Sequence, residues 1–352
     1  MYPAPDLNNP GQPPQDKRHQ SIHPNGPQDS RGVSADTLGL ILALATSWCY
    51  PKLMNQARFS STSSPSDVVR SGAGTQHPAK IHCAKMHGAG NDFIVLPTPG
   101  LCPKDLREFV QSACHRRRGV GADGVVLLAQ EGPATFGLRF YNCDGGRVEL
   151  CLNGARCAAL RLTHLGWLGS KTGLFNTHLG PMQFRIRDPL VDLTFDLQEF
   201  PKRTVEISVS SQSRPAHFVD LADPHLVVPF TPQEMDSLDF EAFARPIRWS
   251  QQFDQGTNVH AVARESKERI LIRSYERGIE SETLACGSGC VAAAITLDIS
   301  TAEFRTRGGD QLFLNKAQKG GQWKITGPAV LTAELEIPVP SATPDAGTSD
   351  AR

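Results

Sequence analysis

The stretch "TLACGSGCVAAA", residues 283–294, places a cysteine in a glycine-rich turn that leads directly into an alanine-rich segment. A second stretch, "LCLNGARCAA" at residues 150–159, has the same order of cysteine, polar residue, glycine, second cysteine and alanines. Cys151 and Cys286 are too far apart in the sequence to form a local pair. The two stretches indicate equivalent points in two halves of one molecule.

Length and composition narrow the class of protein. The chain has 352 residues, with 36 basic and 36 acidic side chains. This length favours two domains, and the balanced charge gives no indication of a nucleic-acid or membrane partner. The nine cysteines show neither a CxxC pair nor a Cys/His metal spacing. We therefore expect neither a disulfide scaffold nor a metal site.

The two ends of the chain differ in composition from the rest. Residues 1–78 open with a segment rich in Pro, Asn and Gln, and residues 338–352 are rich in Pro, Ser, Thr and Asp, so we expect both to be disordered. The 14-residue apolar run "TLGLILALATSWCY" is shorter than the roughly 20 residues that span a bilayer. Three interpretations remain open for the first segment. It is an extension without function, a transit peptide, for which the serine-rich "MNQARFSSTSSPS" from Met54 is typical, or a secretory signal whose core is the apolar run.

The folded part repeats one pattern. In each half, strand-like segments lead to a loop, a cysteine turn and an alanine-rich helix that is apolar nearly all round, and such helices are usually buried. This predicts an α+β fold of two similar domains, each a mostly antiparallel sheet or barrel wrapped around a central helix, with the active site in the cleft between them. We place the N-terminal domain at residues 79–203, completed by the last strand at about 328–337, and the C-terminal domain at residues 204–327.

A cysteine at the start of a helix has a definite chemistry. The first N–H groups of a helix have no intrahelical partner and carry partial positive charge, so they favour a thiolate and can also bind a carboxylate. We expect the pKa of such a thiol to fall from about 8.5 toward neutrality. If two such helix ends face each other across a substrate, one thiolate can remove the α-proton while the opposite thiol delivers one to the other face. The pattern predicts a two-base racemase or epimerase without metal or cofactor.

Seven motifs, in order, identify a family that fits this chemistry. They extend from about residue 80 to residue 337 and read "KMHGAGNDFIV", "RRGVGADGVVLL", "YNCDGGRVELCLNGARCAA", "DPHLVV", "GTNVH", "YERGIESETLACGSGC" and "TGPA". With these motifs the chain resembles the diaminopimelate epimerase family. That family interconverts L,L- and meso-diaminopimelate without pyridoxal phosphate, in lysine and peptidoglycan precursor synthesis.

The resemblance implies roles for individual residues. Cys151 and Cys286 match the two catalytic cysteines, acting on the L and D faces respectively. Glu276 and Arg277 match the acid and base that read the distal end of the substrate, and His225 matches a histidine close to the cysteines. The other substrate-binding matches are Asn91, Asn142, Asn153, Gly154, Asn258, Gly287 and Ser288.

The resemblance also bears on partners and compartment. It implies diaminopimelate as a small-molecule substrate, no cofactor, and no nucleic-acid or membrane partner. It leaves a homodimer open. We expect the cytoplasm, or an organelle if residues 1–78 include a transit peptide.

Three features depart from the family pattern. Leu152 stands where the family has glycine, so we expect either strain, if the backbone there needs φ > 0, or crowding of the pocket. Asp223 stands where a neutral residue is usual. After Cys290 the chain reaches "DISTAEFRTRGG" sooner than the family pattern does, which predicts a shortened second central helix or a shortened exit loop. The alternatives to the epimerase are therefore another amino-acid racemase of the same fold, or a catalytically weak or silent homologue.

Removal of residues 1–78 should leave the folded part intact, because their composition cannot build a core. We expect the truncated chain to keep the melting temperature and activity of the full chain, measured side by side. A clear loss of folded protein would mean that the apolar run at residues 37–50 packs on a domain.

Overall fold

The computed structural model describes residues 80–97, 103–197, 200–209, 212–317 and 321–338. The predicted extension at residues 1–78 lies outside this part. Of the predicted C-terminal tail, only Pro338 is described, as the last residue of a strand.

The described residues form helices and strands in an alternating order. The helices are α1 (Pro103–Cys114), α2 (Leu152–His164), α3 (Pro232–Ser237), α4 (Phe240–Arg248) and α5 (Gly287–Thr296). The strands of the first half are β1 (Lys80–Gly88), β2 (Asn91–Pro97), β3 (Gly124–Gln130), β4 (Thr135–Asn142), β5 (Arg147–Val148), β6 (Thr172–Thr177), β7 (Gly180–Arg187) and β8 (Leu190–Phe195). Those that follow are β9 (Lys202–Val209), β10 (Gln212–Asp220), β11 (Pro224–Phe230), β12 (Asn258–Arg264), β13 (Arg269–Glu276), β14 (Ser281–Thr283), β15 (Thr301–Arg305), β16 (Gln311–Lys316), β17 (Trp323–Pro328) and β18 (Val330–Pro338).

The two halves repeat one topology. The series from β1 to β8 around α2 corresponds to the series from β10 to β17 around α5. The parallel pairs recur at matching places, since β2/β3 and β4/β6 in the first half correspond to β11/β12 and β13/β15 in the second. The other described pairs are antiparallel. The chain is therefore an α+β protein of two similar domains, as the sequence predicts.

Each half also takes one extra strand, and these strands connect the halves. Strand β18 pairs with β1, and β9 pairs in the same way with β10. The two series meet where β17 pairs with β8. Since β9 begins at Lys202, the boundary predicted after residue 203 falls within this strand; the domain limits stay a prediction.

The central helices α2 and α5 are buried because their sequences are apolar nearly all round. Every residue of α2 from Leu152 to Leu162 is buried, and α2 packs against β1, β2, β3, β7, β8 and β18. Helix α5 packs against β10, β11, β12, β15 and β16. It has 10 residues and α2 has 13, and the shortening relative to the family stays a prediction. None of the described helices is long and apolar enough to cross a membrane.

Two buried arginines connect α2 to the strands β17 and β18. Arg161 forms an ion pair with Glu334 of β18, and Arg156 donates from Nε to the carbonyl of Pro328 over 3.2 Å. A buried guanidinium is tolerated only where acceptors replace the lost water. These bonds hold the last two strands against the helix of the first half.

Gly289 lies so close to His260 that alanine should not fit. A Cβ at Gly289 would lie 2.4 Å from Cε1 of the His260 ring, which is fully buried and cannot move into solvent. We expect Gly289→Ala to lower the free energy of unfolding by about 1–3 kcal/mol, the usual cost of overpacking. Urea denaturation of the variant and of the wild type measures this difference in the free energy of unfolding. Gly169→Ala is the control, because no atom lies within 4 Å of its Cβ. Equal stability of the two variants would contradict this packing.

Candidate active site

The two cysteines singled out in the sequence cap the two central helices. Cys151 is the N-cap of α2, and its sulfur accepts from the N–H of Gly154 over 3.3 Å. Cys286 is the N-cap of α5, and its sulfur accepts from the N–H of Gly289 over 3.4 Å. Both sulfurs thus lie at the electropositive ends of buried helices, the placement that the sequence predicts.

The first turns of α2 and α5 touch each other. The side-chain amide of Asn153 donates to the carbonyl of Ala285, the residue before Cys286, over 2.9 Å. A Cβ at Gly287 would lie 2.9 Å from Cβ of Leu152. The absence of a side chain at Gly287 therefore lets the two helix ends approach, and both cysteines belong to one site.

Leu152 is accommodated without backbone strain. It is the first residue of α2, and it is absent from the described non-glycine residues with positive φ. Its side chain is only 1% exposed and packs in the interior against the start of α5. Of the two expectations for this residue, strain from φ > 0 is therefore wrong. Its bulk lies at the contact between the two helix ends.

A cavity of about 530 Å³ opens at this meeting point, a size typical of small-molecule sites. Ten of the twelve residues predicted for the site line it: Asn91, Asn142, Cys151, Asn153, Asn258, Glu276, Arg277, Cys286, Gly287 and Ser288. The other two, Gly154 and His225, do not. Gly154 packs against Phe140 and Val126, and its contribution is the N–H that meets Cys151.

Two of the asparagines hold the site together through a buried network. Asn91 donates to the carboxylate of Asp123 over 2.8 Å and accepts from Asn153 over 3.0 Å. The other end of the Asn153 side chain, Oδ1, accepts from Arg156 over 2.8 Å. Because these bonds fix both amides, the network sets the position of the first turn of α2 relative to Ala285.

The other two asparagines act around Arg277. Asn142, at the end of β4, donates to the Arg277 carbonyl over 3.4 Å. Asn258 accepts from the Arg277 N–H over 2.9 Å and donates to the Pro224 carbonyl over 3.1 Å. Residues from both halves therefore position this loop at the edge of the cavity.

Glu276 and Arg277 point to different partners, although they are adjacent in sequence. The Glu276 carboxylate accepts from the hydroxyl of Thr283 and interacts with the thiol of Cys286. Arg277 instead forms an ion pair with Asp223. Neighbouring residues at the end of a strand face opposite ways, which explains the separation. The two side chains thus contact different groups of the cavity wall, and their role in reading the distal end of the substrate stays a prediction.

Both thiols are protonated at neutral pH. Burial raises the pKa of Cys151 to about 12 and holds the pKa of Cys286 well above its usual value. The N–H groups of Gly154 and Gly289 lower these values, but by less than burial raises them. The expectation that the helix ends lower the pKa toward neutrality is therefore wrong for both thiols.

Glu276 is the carboxylate best placed to receive a proton from Cys286. Burial raises its pKa to about 7, while hydrogen bonds from Thr283 and Cys286 oppose that rise. A carboxylate with a pKa near neutrality can take up and release a proton at physiological pH.

His225 lies in a buried chain of polar groups outside the cavity. Its Nδ1 is 2.8 Å from Nε2 of His260, and Nδ1 of His260 is 2.9 Å from the hydroxyl of Ser274. Burial lowers the pKa of both histidines, so both rings are neutral. The Nε2 atom of His225 is buried and has no hydrogen-bond partner among the described residues. Since the His260 ring packs on Gly289, this chain supports the first turn of α5 from behind.

Sequence reasoning missed the residues at the mouth of the cavity. Arg248 pairs with Glu280 and stacks on Trp249, whose side chain is 64% exposed, and all three line the cavity. Arg147 lines it as well. Of these residues, only Arg147 could have been predicted from the sequence, because it stands four residues before Cys151. The described residues contain no group of three or more His, Cys, Asp or Glu side chains arranged to hold a metal ion.

Glu276→Gln should change how stability depends on pH. The pKa of Glu276 rises from 4.5 to about 7 on folding. Between these values the folded chain keeps a proton that the unfolded chain has released, so the free energy of unfolding falls as pH rises. For Glu276→Gln, the free energy of unfolding should not show this decrease, which is up to about 3 kcal/mol in the wild type.

Urea denaturation of both proteins from about pH 5 to about pH 8 tests this expectation, because contributions of other groups cancel in the difference. The exposed Glu268→Gln should follow the wild type. Parallel curves for Glu276→Gln and the wild type would show that Glu276 ionises normally.

Comparison with known proteins identifies the family of the chain. The profile of the family described as diaminopimelate epimerase matches residues 83–193 and 217–331. The diaminopimelate epimerase of Hydrogenobaculum sp. is 36% identical over 223 residues, which cover 60% of this chain and 80% of that protein. The diaminopimelate epimerase of Laribacter hongkongensis is 33% identical over 288 residues, which cover 73% of this chain and 99% of that protein.

A solved structure shows the same fold at low identity. A hydroxyproline epimerase from Agrobacterium vitis, with bound trans-4-hydroxy-L-proline, has a TM-score of 0.58 and 14% identity, over 75% of this chain and 94% of that chain. At this identity the likeness concerns the fold alone. The family profile, the two relatives and the paired cysteine turns agree, and the chain belongs to the diaminopimelate epimerase family of isomerases.

Proposed function

We propose that the chain interconverts L,L- and meso-diaminopimelate by two-base proton transfer at one α-carbon. One observation carries the proposal: two buried helices, each capped by a free cysteine, meet N-terminus to N-terminus at one cavity. Family membership supports the substrate, whose product serves lysine and peptidoglycan precursor synthesis.

The helix ends account for binding of the reacting carboxylate. The first N–H groups of α2 and α5 lack intrahelical partners, and their partial positive charge favours an anion. A carboxylate bound there has its α-carbon between Cys151 and Cys286. The same N–H groups stabilise the negative charge that develops on the carboxylate as the α-proton leaves.

The proton transfers balance over one turnover. Starting from the L-configured carbon, Cys151 acts as a thiolate and takes the α-proton, while the Cys286 thiol gives its proton to the opposite face. The enzyme then carries the proton on Cys151 and the thiolate on Cys286, the state that starts the reverse reaction.

The first thiolate must form despite the raised pKa of the thiols. Glu276 supports formation of the Cys286 thiolate, which starts the reverse reaction, because it contacts Cys286 and its own pKa lies at about 7. A bound substrate replaces water in the cavity and brings its ammonium group close to the sulfurs, which favours the thiolate further.

The test follows α-hydrogen exchange by the full chain. We incubate it with L,L-diaminopimelate in deuterium oxide and analyse the product by mass spectrometry and chiral separation. We expect meso product with one deuterium at the inverted carbon. Cys151→Ala and Cys286→Ala should each lower the rate by about 100- to 10,000-fold, because each removes one acid–base group.

Cys114→Ala is the matched control, since this free cysteine lies in α1 and does not line the cavity. It should keep wild-type activity. Wild-type protein that neither inverts the substrate nor exchanges its α-hydrogen would overturn the proposal in favour of a silent homologue. Full activity in either site variant would overturn the two-base mechanism.

A further inference from the structure

Arg156, in the second turn of α2, is a buried charge that the proposed proton transfers do not use. The residue is 0% exposed. All three nitrogens of its guanidinium donate hydrogen bonds: Nε to the carbonyl of Pro328 over 3.2 Å, Nη1 to the carbonyl of Leu152 over 3.3 Å, and Nη2 to Oδ1 of Asn153 over 2.8 Å. These acceptors are neutral. They satisfy the N–H groups but do not cancel the positive charge.

The described residues provide no carboxylate that pairs with this guanidinium. Arg161, further along α2, is 1% exposed and forms an ion pair with Glu334 of β18. Arg156 forms no such pair, although a buried charge without a counter-ion is costly. The Asp310 carboxylate acts on it without contact, and more weakly than the thiol group of Cys151 does.

The strands around α2 make room for the charge. A Cβ at Gly88, the last residue of β1, would lie 3.3 Å from Nη2 of Arg156. A Cβ at Gly327, in β17, would lie 3.1 Å from its Cζ. Two strands far apart in the sequence thus have glycine where they cover the guanidinium. The fold therefore encloses this charge at a fixed place.

The guanidinium is bonded to the turn that follows Cys151. Leu152 and Asn153, the two residues after this cysteine, accept two of its hydrogen bonds. Burial raises the pKa of Cys151 to about 12, whereas the charge of Arg156 lowers it. The N–H of Gly154 also lowers this pKa, and the Glu276 carboxylate raises it. Arg156 therefore acts in the direction that favours a thiolate at Cys151.

The second thiol has other supports. Burial and the Glu276 carboxylate raise the pKa of Cys286, while the hydroxyl of Ser288 and the N–H of Gly289 lower it. Arg156 belongs to the helix that Cys151 caps and bonds its first turn. We therefore expect a change at Arg156 to affect Cys151 more than Cys286.

We propose that Arg156 is a positioning residue that stabilises the thiolate of Cys151 through its buried positive charge. The inference rests on the proposed function, in which Cys151 takes the α-proton as a thiolate, and it adds the source of that thiolate's stability. Coulomb interactions are much stronger in an interior of low dielectric constant than in water. The fixed cation, costly by itself, is therefore compensated when the thiolate forms. Arg156 does not line the cavity, so it acts through Cys151 and its turn.

The experiment measures alkylation of each cysteine by iodoacetamide in the full chain without substrate, followed by mass spectrometry of the peptides. The thiolate is the reacting form, so the rate at Cys151 reports its thiolate fraction. Arg156→Gln keeps a donor for Asn153 but removes the charge. It should lower the rate at Cys151 about tenfold at about pH 9, because a rise of about one in the pKa lowers the thiolate fraction by that factor. Arg156→Lys keeps the charge and should retain most of the wild-type rate.

Two controls separate the charge from a general loss of structure. Cys286 in the same molecule is the internal control, and its rate should change less than that of Cys151. Arg161→Gln removes the other buried guanidinium of α2 and should leave the rate at Cys151 unchanged. If Arg156→Gln does not fold, Arg156→Met provides the test, because replacing a buried charge by an apolar side chain is often neutral for stability.

Three results would overturn the role of the charge. The first is an unchanged rate at Cys151 in Arg156→Gln. The second is an equal loss in Arg156→Lys, which would assign the effect to the shape of the guanidinium. The third is an equal fall at both cysteines, or failure of both neutral variants to fold, which would make Arg156 a structural residue.

Turnover provides a separate test. In an active wild type, Arg156→Gln should lower kcat more than it changes KM, because Arg156 supports the thiolate and does not contact the substrate. The alkylation rates do not depend on turnover. A wild type without epimerase activity would therefore overturn the proposed function, while the alkylation rates would still decide the role of Arg156.

Discussion

The contact between the first turns of α2 and α5 is the constraint on which the site depends. Asn153 reaches across to the Ala285 carbonyl, and Gly287 leaves room for Leu152. The contact brings two helix N-termini together, which is electrostatically unfavourable unless an anion or other acceptors compensate. Here the capping sulfurs accept from the N–H groups of Gly154 and Gly289 and take up part of that charge. In the proposed function, a substrate carboxylate completes the compensation.

Burial and helix polarity act on the same thiols in opposite directions, and their magnitudes decide the outcome. A helix end contributes about 0.3–1 kcal/mol, and up to about 2 kcal/mol in favourable geometry. Full burial shifts a pKa by as much as about 3–5 units. Burial therefore prevails at Cys151 and Cys286, and both thiols are protonated at neutral pH. The proposed reaction therefore requires a charged substrate to change their surroundings.

The departures from the family pattern have structural counterparts. Leu152 has a helical backbone, and its side chain fills interior space beside Gly287. It therefore adds packing at the contact between the two helices, where the family has only glycine. Asp223 is neutralised by Arg277 and does not stand as an isolated buried charge, which would be far more costly. Neither departure removes a residue that the proposed chemistry requires. The shorter α5 keeps its first turn, which is the part that lines the cavity.

The sequence by itself determined the repeated cysteine turns, the buried helices and the α+β class, because helix periodicity, capping and apolar runs are local signals. It also indicated ten residues that line the cavity. Only the tertiary structure decided the partners. Glu276 meets Cys286, Arg277 meets Asp223, and His225 lies behind the site with His260. The pairings of Arg277 and His225 join residues 54 and 35 positions apart in the chain, and the protonation of the thiols depends on burial by the whole fold. A local sequence pattern indicates neither these pairings nor the protonation of the thiols, because both depend on how the whole fold packs together.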